Sequence, residues 1–401
     1  MNRHGGMEKH LGIGGGQWPA ISKASQEALN KGEQLALRRR PNEAAPYLFK
    51  AMEDPNNVDA AIQLAFLCPT FKDSIEILEV SEKKAKAILK RILGQTVFED
   101  DRVGKFWDII ATRPYMRVLQ AQVRFYFEDK QYNSAAKTII EMLRLCPGDN
   151  MGQRDWLAPI LCQAGRYSDA LYFAQQWLQN QLGDGRPPHL GGCDFKKPFS
   201  EPMPDALEQE MSEFSVDYMI YTAALAAFKL YGDSPLSRQY LRMCAKLNPV
   251  ILSRVLAKNE RPKEPNNEPR GLNGPQSAHD YLFLAQTLWM EDDVYNWALN
   301  NEDAVKIILR ECCMPGCKKS ETKPNEFKRC ADCKKTWYCS KECQKKHWPD
   351  HRKACKQHKQ TQKMMKALMN GKNFTPDPDV PTMPIYRADF GGGMVVTEEL
   401  A

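Results

Sequence analysis

The sequence predicts an all-α fold that ends in a small cysteine-rich module. Three observations carry this reading. Apolar residues recur at helical spacing through most of the chain, no segment alternates with period two over five or more residues, and the cysteines crowd into one stretch. Helical spacing is plainest in Met116, Leu119, Val123 and Tyr126, whose steps of three and four place them on one face. Ala135, Ile139, Met142, Leu143 and Cys146 do the same for the next segment, and Ala170, Phe173, Ala174, Trp177 and Leu178 for another. With 401 residues, 42% hydrophobic and 26% charged, the chain has room for two or three domains of ordinary globular composition. No apolar run approaches the ~18 residues of a membrane span. The opening residues lack the apolar core and small-residue cleavage site of a signal peptide. An intracellular protein with reduced thiols, cytoplasmic and/or nuclear, is expected.

Within the predicted helical body, residues 19–310, a repeat is visible. Tyr132, Ala135, Met142 and Pro147 stand at offsets of zero, three, ten and fifteen, a spacing that resembles the second helix of a tetratricopeptide (TPR) repeat. Tyr167 and Ala170 restart the pattern 35 residues after Tyr132, and Pro249 lies 102 residues after Pro147. Ala44, Ala51 and Pro55 form a weaker early copy. A TPR-like solenoid of helical hairpins is expected, each hairpin leaving an apolar face for its neighbour to cover. Pro159 inside a first helix, the missing signature tryptophan and two irregular insertions, 183–204 and 258–278, depart from the strict pattern. Residues 1–18 read as a flexible Gly-rich N-terminus, 356–371 as a C-terminal helix and 372–401 as a disordered tail. That tail carries prolines of its own, which offer the preceding module a ligand in cis.

Eight of the 13 cysteines lie between Cys312 and Cys355. The other five are scattered, and Cys68, Cys146, Cys162 and Cys244 in apolar segments read as small core residues. The clustered ligands form short pairs. Cys312 or Cys313 goes with Cys317, Cys330 with Cys333, Cys339 with Cys343, and His351 with Cys355. Each pair is half of a tetrahedral zinc site, and four pairs suffice for two zinc ions. Ser340 is placed to cap a helix with Cys343 in its first turn, and Asp350 to cap the next, where His351 and Cys355 share a face.

This arrangement resembles the MYND-type zinc finger over residues 312–355. A cysteine pair and a second pair are followed by Tyr338-Cys339-Ser340 with Cys343-Gln344, then by Trp348, His351 and Cys355. The Cys-x-His step that a RING finger needs in mid-pattern does not occur. The resemblance implies interleaved sites. Cys317, Cys339, Cys343 and either Cys312 or Cys313 hold one ion, and Cys330, Cys333, His351 and Cys355 the other. Cys312 is preferred, because four-residue gaps occur in the family. Both sites are then closed and structural. His347 is expected beside the sites rather than in them, and His358 on a solvated helix face. The resemblance further implies docking of proline-rich partner segments, in transcriptional corepression or ubiquitin-ligase assemblies. Trp337, Tyr338, Gln344 and Trp348 occupy the region where such a peptide lies, with Trp337 alternatively closing the small core. A TPR-like body followed by a MYND finger resembles fungal MYND-containing proteins.

Charge follows the cysteines. Residues 310–372 hold 18 Lys/Arg against 6 Asp/Glu, a formal +12, while the whole chain is +6. Such a field attracts acidic protein or nucleic acid, although a solvated face explains it first. Enzyme motifs are lacking: there is no phosphate-binding Gly-rich loop, no His-Glu-x-x-His and no Gly-x-Ser-x-Gly. The glycine run 12–16 lacks a following lysine, and His189 and His279 stand alone. SET-type lysine methyltransferases also carry MYND fingers, but need a β-rich fold for which a helical body leaves no room. A non-catalytic protein-interaction adaptor is the expectation.

Overall fold

In the computed structural model the described residues are 18–181, 183, 185–267, 271–369, 373–377, 380, 386–388 and 394–396. The chain divides between Ala304 and Val305 into two compact units. Among the described residues, no helix is long and apolar enough to cross a membrane.

Caps and tight turns set out the helices of the first unit. Helix α1 (Lys23–Leu37) starts where the Ser22 hydroxyl accepts the Ser25 N–H, and α2 (Pro41–Met52) starts on a proline whose missing N–H is not needed in a first turn. Asn57 caps α3 (Val58–Ala65), and Thr70 caps α4 (Phe71–Leu93). Between α1 and α2 the chain reverses through left-handed Arg39, and Arg40 N–H reaches back to the Leu35 carbonyl at 3.0 Å. This bond from beyond the helix end satisfies a carbonyl that the helix leaves open.

The same turn joins two further helix pairs. Helices α5 (Arg113–Glu128) and α6 (Tyr132–Leu145) join through left-handed Lys130, with Gln131 N–H on the Tyr126 carbonyl at 2.8 Å. Helices α7 (Arg154–Gln163) and α8 (Tyr167–Gln181) join through Gly165, with Arg166 N–H on the Leu161 carbonyl at 2.8 Å. Tyr132 and Tyr167, paired by spacing, thus each open the second helix of a like hairpin. The chain continues through α9 (Asp205–Phe214), α10 (Asp217–Tyr231), α11 (Pro235–Leu247), α12 (Pro249–Leu256), α13 (Pro275–Trp289), α14 (Asp292–Asn300) and α15 (Glu302–Ile308). Asn301 caps α15 by accepting the Ala304 N–H at 3.1 Å.

Apolar on nearly every side, α10 is the central helix and packs against α7, α8, α11 and α13. Much of the packing joins helices close in the chain. The placement of α13 departs from that. Helix α13 lies on α7, where the Phe283 ring stands 6.0 Å from Trp156 and Gln163 Nε2 donates to the Leu284 carbonyl at 2.8 Å, and the same ring stands 5.4 Å from Phe127 on α5. A strict array with contacts only between adjacent hairpins does not bring such distant helices together.

Both irregular segments are pinned. In 183–204, Trp177 Nε1 donates to the Gly191 carbonyl at 3.0 Å, and left-handed Gly191 lies so near α6 that a Cβ would come 2.8 Å from Leu143 Cβ. In 258–278, the Arg261 guanidinium donates to the Phe283 carbonyl at 2.9 and 2.7 Å, and α13 already begins at Pro275. Cys146, Cys162 and Cys244 are buried, and Cys68 is half-buried. Of the expected flexible N-terminus, residues 1–17 lie outside the described residues, while the Trp18 indole donates to the Asn56 carbonyl at 2.9 Å.

The second unit has a two-stranded antiparallel ribbon, β1 (Lys328–Arg329) with β2 (Trp337–Tyr338), and one long helix, α16 (Lys341–Met369). Two helices broken at a cap on Asp350 were expected, but α16 runs straight through, with Pro349 and Asp350 inside it. Pro349 costs the helix one N–H donor, while the ligand-bearing turns on either side keep their register. The expected helix 356–371 is therefore the second half of α16. Beyond it, Tyr386–Ala388 (β3) pairs antiparallel with Met394–Val396 (β4), and most of the expected tail lies outside the described residues.

Candidate metal centre

Three local devices aim the ligands. First, the knuckles: Cys317 and Cys333 are each followed by a left-handed lysine, Lys318 at φ 51 and Lys334 at φ 57. That conformation turns the next N–H, of Lys319 or Lys335, back onto the cysteine sulfur, at 3.5 Å for Lys335. Second, the ribbon carries Cys330 and Cys339 just beyond paired residues, with Cys330 N–H on the Thr336 carbonyl at 2.8 Å. Third, Ser340 caps α16 by accepting the Cys343 N–H at 3.2 Å, so Cys343 sits in the first turn and His351 and Cys355 share a face.

The result is two groups of four. Cys312, Cys317, Cys339 and Cys343 converge, and so do Cys330, Cys333, His351 and Cys355, with all ligand atoms of each group within 4.8 Å of one another. First and third pairs share one site, second and fourth the other. Cys313 belongs to neither group; its sulfur takes the Trp337 N–H at 3.4 Å, while Cys312 Sγ takes the Cys339 N–H at 3.5 Å.

The spacing fits zinc. With metal–sulfur bonds of ~2.3 Å, a tetrahedron has sulfur–sulfur edges of about 3.8 Å. In the first site Cys317, Cys339 and Cys343 are separated by 3.6, 3.5 and 3.7 Å. In the second, Cys330 and Cys355 stand 3.8 Å apart, and Cys333 Sγ lies 3.5 Å from His351 Nε2. Four-sulfur and three-sulfur-one-imidazole donor sets of this shape select zinc, which neutralises the clustered thiolates and cross-links the chain. The Lys319 N–H holds the Cys317 thiol down to about 7, whereas burial and then neighbouring thiols push Cys339 and Cys355 up to about 12. Four thiolates at one point need a cation to hold them together. Burial, then His347, keeps His351 below the ordinary imidazole value, in the neutral form a metal ligand requires.

Around the ligands, His347 takes the position expected beside the sites. Its Nδ1 lies 3.0 Å from the Tyr338 hydroxyl, and its ring 5.7 Å from that of His351. Two residues went unnoticed in the sequence. Glu321 is buried and accepts the Arg310 N–H at 3.1 Å and the Phe327 N–H at 2.8 Å, pinning the loop between the first two pairs. Arg310 lays its guanidinium 4.5 Å from the Trp337 ring. Five other acidic residues lie in the stretch 310–372, so charge does not single Glu321 out. Of the four residues expected at a peptide surface, Tyr338 is buried in the finger's core, Trp337 is half-buried under Arg310, Gln344 is half-buried, and Trp348 is exposed. Lys318, Lys319, Lys328, Arg329, Lys334, Lys335, Lys345 and Lys346 are all exposed.

A small finger with two interleaved, fully ligated zinc sites, attached to a mostly helical body, is the class that fold and site define. Residues 313–355 match the MYND finger family, so the chain carries a MYND-type zinc finger. The match begins on Cys313, one residue after the cysteine that geometry places in the first site. Among curated proteins, the chain is similar to MYND-type zinc finger protein MUB1 of Saccharomyces cerevisiae, 34% identical over 80 residues, 20% of this chain and 12% of that one. It is also similar to MYND-type zinc finger protein samB of Aspergillus flavus, 36% identical over 147 residues, 35% of this chain and 24% of that one. The chain thus spans about an eighth to a quarter of the length of these relatives. No solved structure matches it.

Proposed function

We propose that this protein is a non-catalytic adaptor, whose finger docks proline-rich segments of a partner protein and whose helical body, a TPR-like solenoid with a fold-back at α13, holds a second partner. Its setting is the cytoplasm, the nucleus or both, in transcriptional regulation or ubiquitin-ligase assembly. One observation carries the reading: both zinc tetrahedra draw all four vertices from side chains, so the metal's work is to hold the finger's shape. The exposed indole of Trp348, on the helix that supplies Cys343, His351 and Cys355, is the aromatic platform for the peptide.

The test is fluorescence anisotropy with labelled proline-rich peptides against the whole chain. Trp348→Ala should weaken binding about tenfold, the loss of ~1.4 kcal/mol of ring contact, with two zinc ions still bound. Equal binding by the variant, or no binding by the wild type across a broad panel, refutes the reading. A nucleic-acid partner is the second reading, resting on the eight exposed basic residues that flank the ligands. It requires affinity that falls steeply with salt.

A further inference from the structure

The finger's last ligand is Cys355, yet α16 continues to Met369. On that extension Gln360 is buried, 7% exposed, and its side chain is spent on main chain from beyond the helix. Its Oε1 accepts the Asp377 N–H at 3.2 Å, and its Nε2 donates to the Val380 carbonyl at 3.2 Å, with the Asp377 carbonyl a longer second acceptor at 3.5 Å. The Val380 N–H donates to the Asp377 carbonyl at 3.1 Å, the bond of a four-residue turn. Val380 is itself buried, and Met364, one helical turn beyond Gln360, is buried as well.

A primary amide offers a donor and an acceptor in one plane, so Gln360 matches the N–H and carbonyls that a turn presents together. Recognition through main chain sets three demands on the occupant. Its first residue must keep an N–H, the second must favour the turn, and the fourth must be apolar. Asp377 meets the first and Val380 the last, and aspartate suits the opening position of a turn.

We propose that the Gln360 face of α16 is a docking site for the main chain of a turn, occupied in cis by this chain's own Asp377 and Val380 as a reversible latch. The tether back to α16 is short, so the latch works at an effective concentration in the ~mM range and needs little intrinsic affinity. It lies outside the residues expected at the peptide surface, and stands whether or not Trp348 binds proline-rich segments.

Hydrogen exchange on the whole chain tests it. Gln360→Leu keeps helix propensity but removes both partners of the turn. It should speed exchange over residues 373–380 about tenfold, as expected for loss of two hydrogen bonds of ~1 kcal/mol or less each. Zinc content and exchange over 330–355 should not change. A synthetic peptide of residues 373–382, added at millimolar concentration to wild type, should speed exchange of the chain's own 373–380. The same peptide with Asp377→Pro, which lacks the N–H, should not. Unchanged exchange in Gln360→Leu overturns the docking site. No response to the wild-type peptide, or an equal response to the proline variant, overturns its reversible, turn-specific use. Trp348→Ala should leave exchange at 373–380 as it was, which separates this outcome from the adaptor test.

Discussion

The helical body and the finger reach order by opposite means. The body buries Trp289, Tyr115, Tyr221 and Tyr281 almost completely, so its core consists of large apolar side chains meeting one another. In the finger the buried cluster is Cys312, Phe327, Cys330, Cys333, Tyr338 and Cys355, and four of those six are zinc ligands. The first core survives on hydrophobic burial, whereas the second is the inner coordination sphere with two aromatic rings attached. A module this small cannot hide enough apolar surface to fold without its cations.

Stripping zinc with a strong chelator is the harshest way to break this contrast. Structural zinc supplies ~10–16 kcal/mol of apparent free energy per site. Amides over 312–355 should therefore exchange freely while those of α5 to α13 keep their protection. A body that melts together with the finger would show that the two cores are not independent. Next in size is the loss of one ligand. Cys312→Ser should lower zinc from two ions to one by native mass spectrometry, while Cys313→Ser keeps both; the reverse result would place Cys313 in the first site. On the other side of the contrast, Phe283→Ala should cost the body ~3–5 kcal/mol in urea unfolding with zinc content intact, because the ring fills the contact of α13 with α5 and α7. The smallest effect belongs to the knuckles. Lys318→Gly or Lys334→Gly should relieve up to ~1 kcal/mol of left-handed strain and slow zinc release slightly. Markedly faster release would show that the lysine side chains matter more than their backbone.

The same contrast explains what could be read in advance. Zinc ligands are fixed by spacing along the chain, so Cys330, Cys333, His351 and Cys355 were legible as letters. Cys312 is preferred over adjacent Cys313 on gap lengths known in the family, while what decides it in the structure is which sulfur faces Cys339. Hairpins in the body were legible where Tyr132 and Tyr167 mark like turns. The meeting of Phe283 with Phe127 was not, since helical periodicity names a buried face and not the distant helix that covers it. Asp350 misled for a related reason: aspartate after proline looks like a helix start, and only the ligand-bearing turns on both sides show the helix continuing. Glu321 left almost no trace, because a pinning carboxylate needs no fixed distance from the cysteines it serves.

Arg310 stands two residues ahead of the first ligand, and its backbone and guanidinium close around Glu321 and the Trp337 ring. The smallest fragment able to stand alone is therefore longer than its metal-binding pattern. A piece cut to start at Cys312 would leave an acid sealed in a dry pocket without its counter-ion and bare one face of an indole to water. Anyone dissecting the molecule should move the cut upstream of Arg310, or risk mistaking a damaged rim for a weak binder.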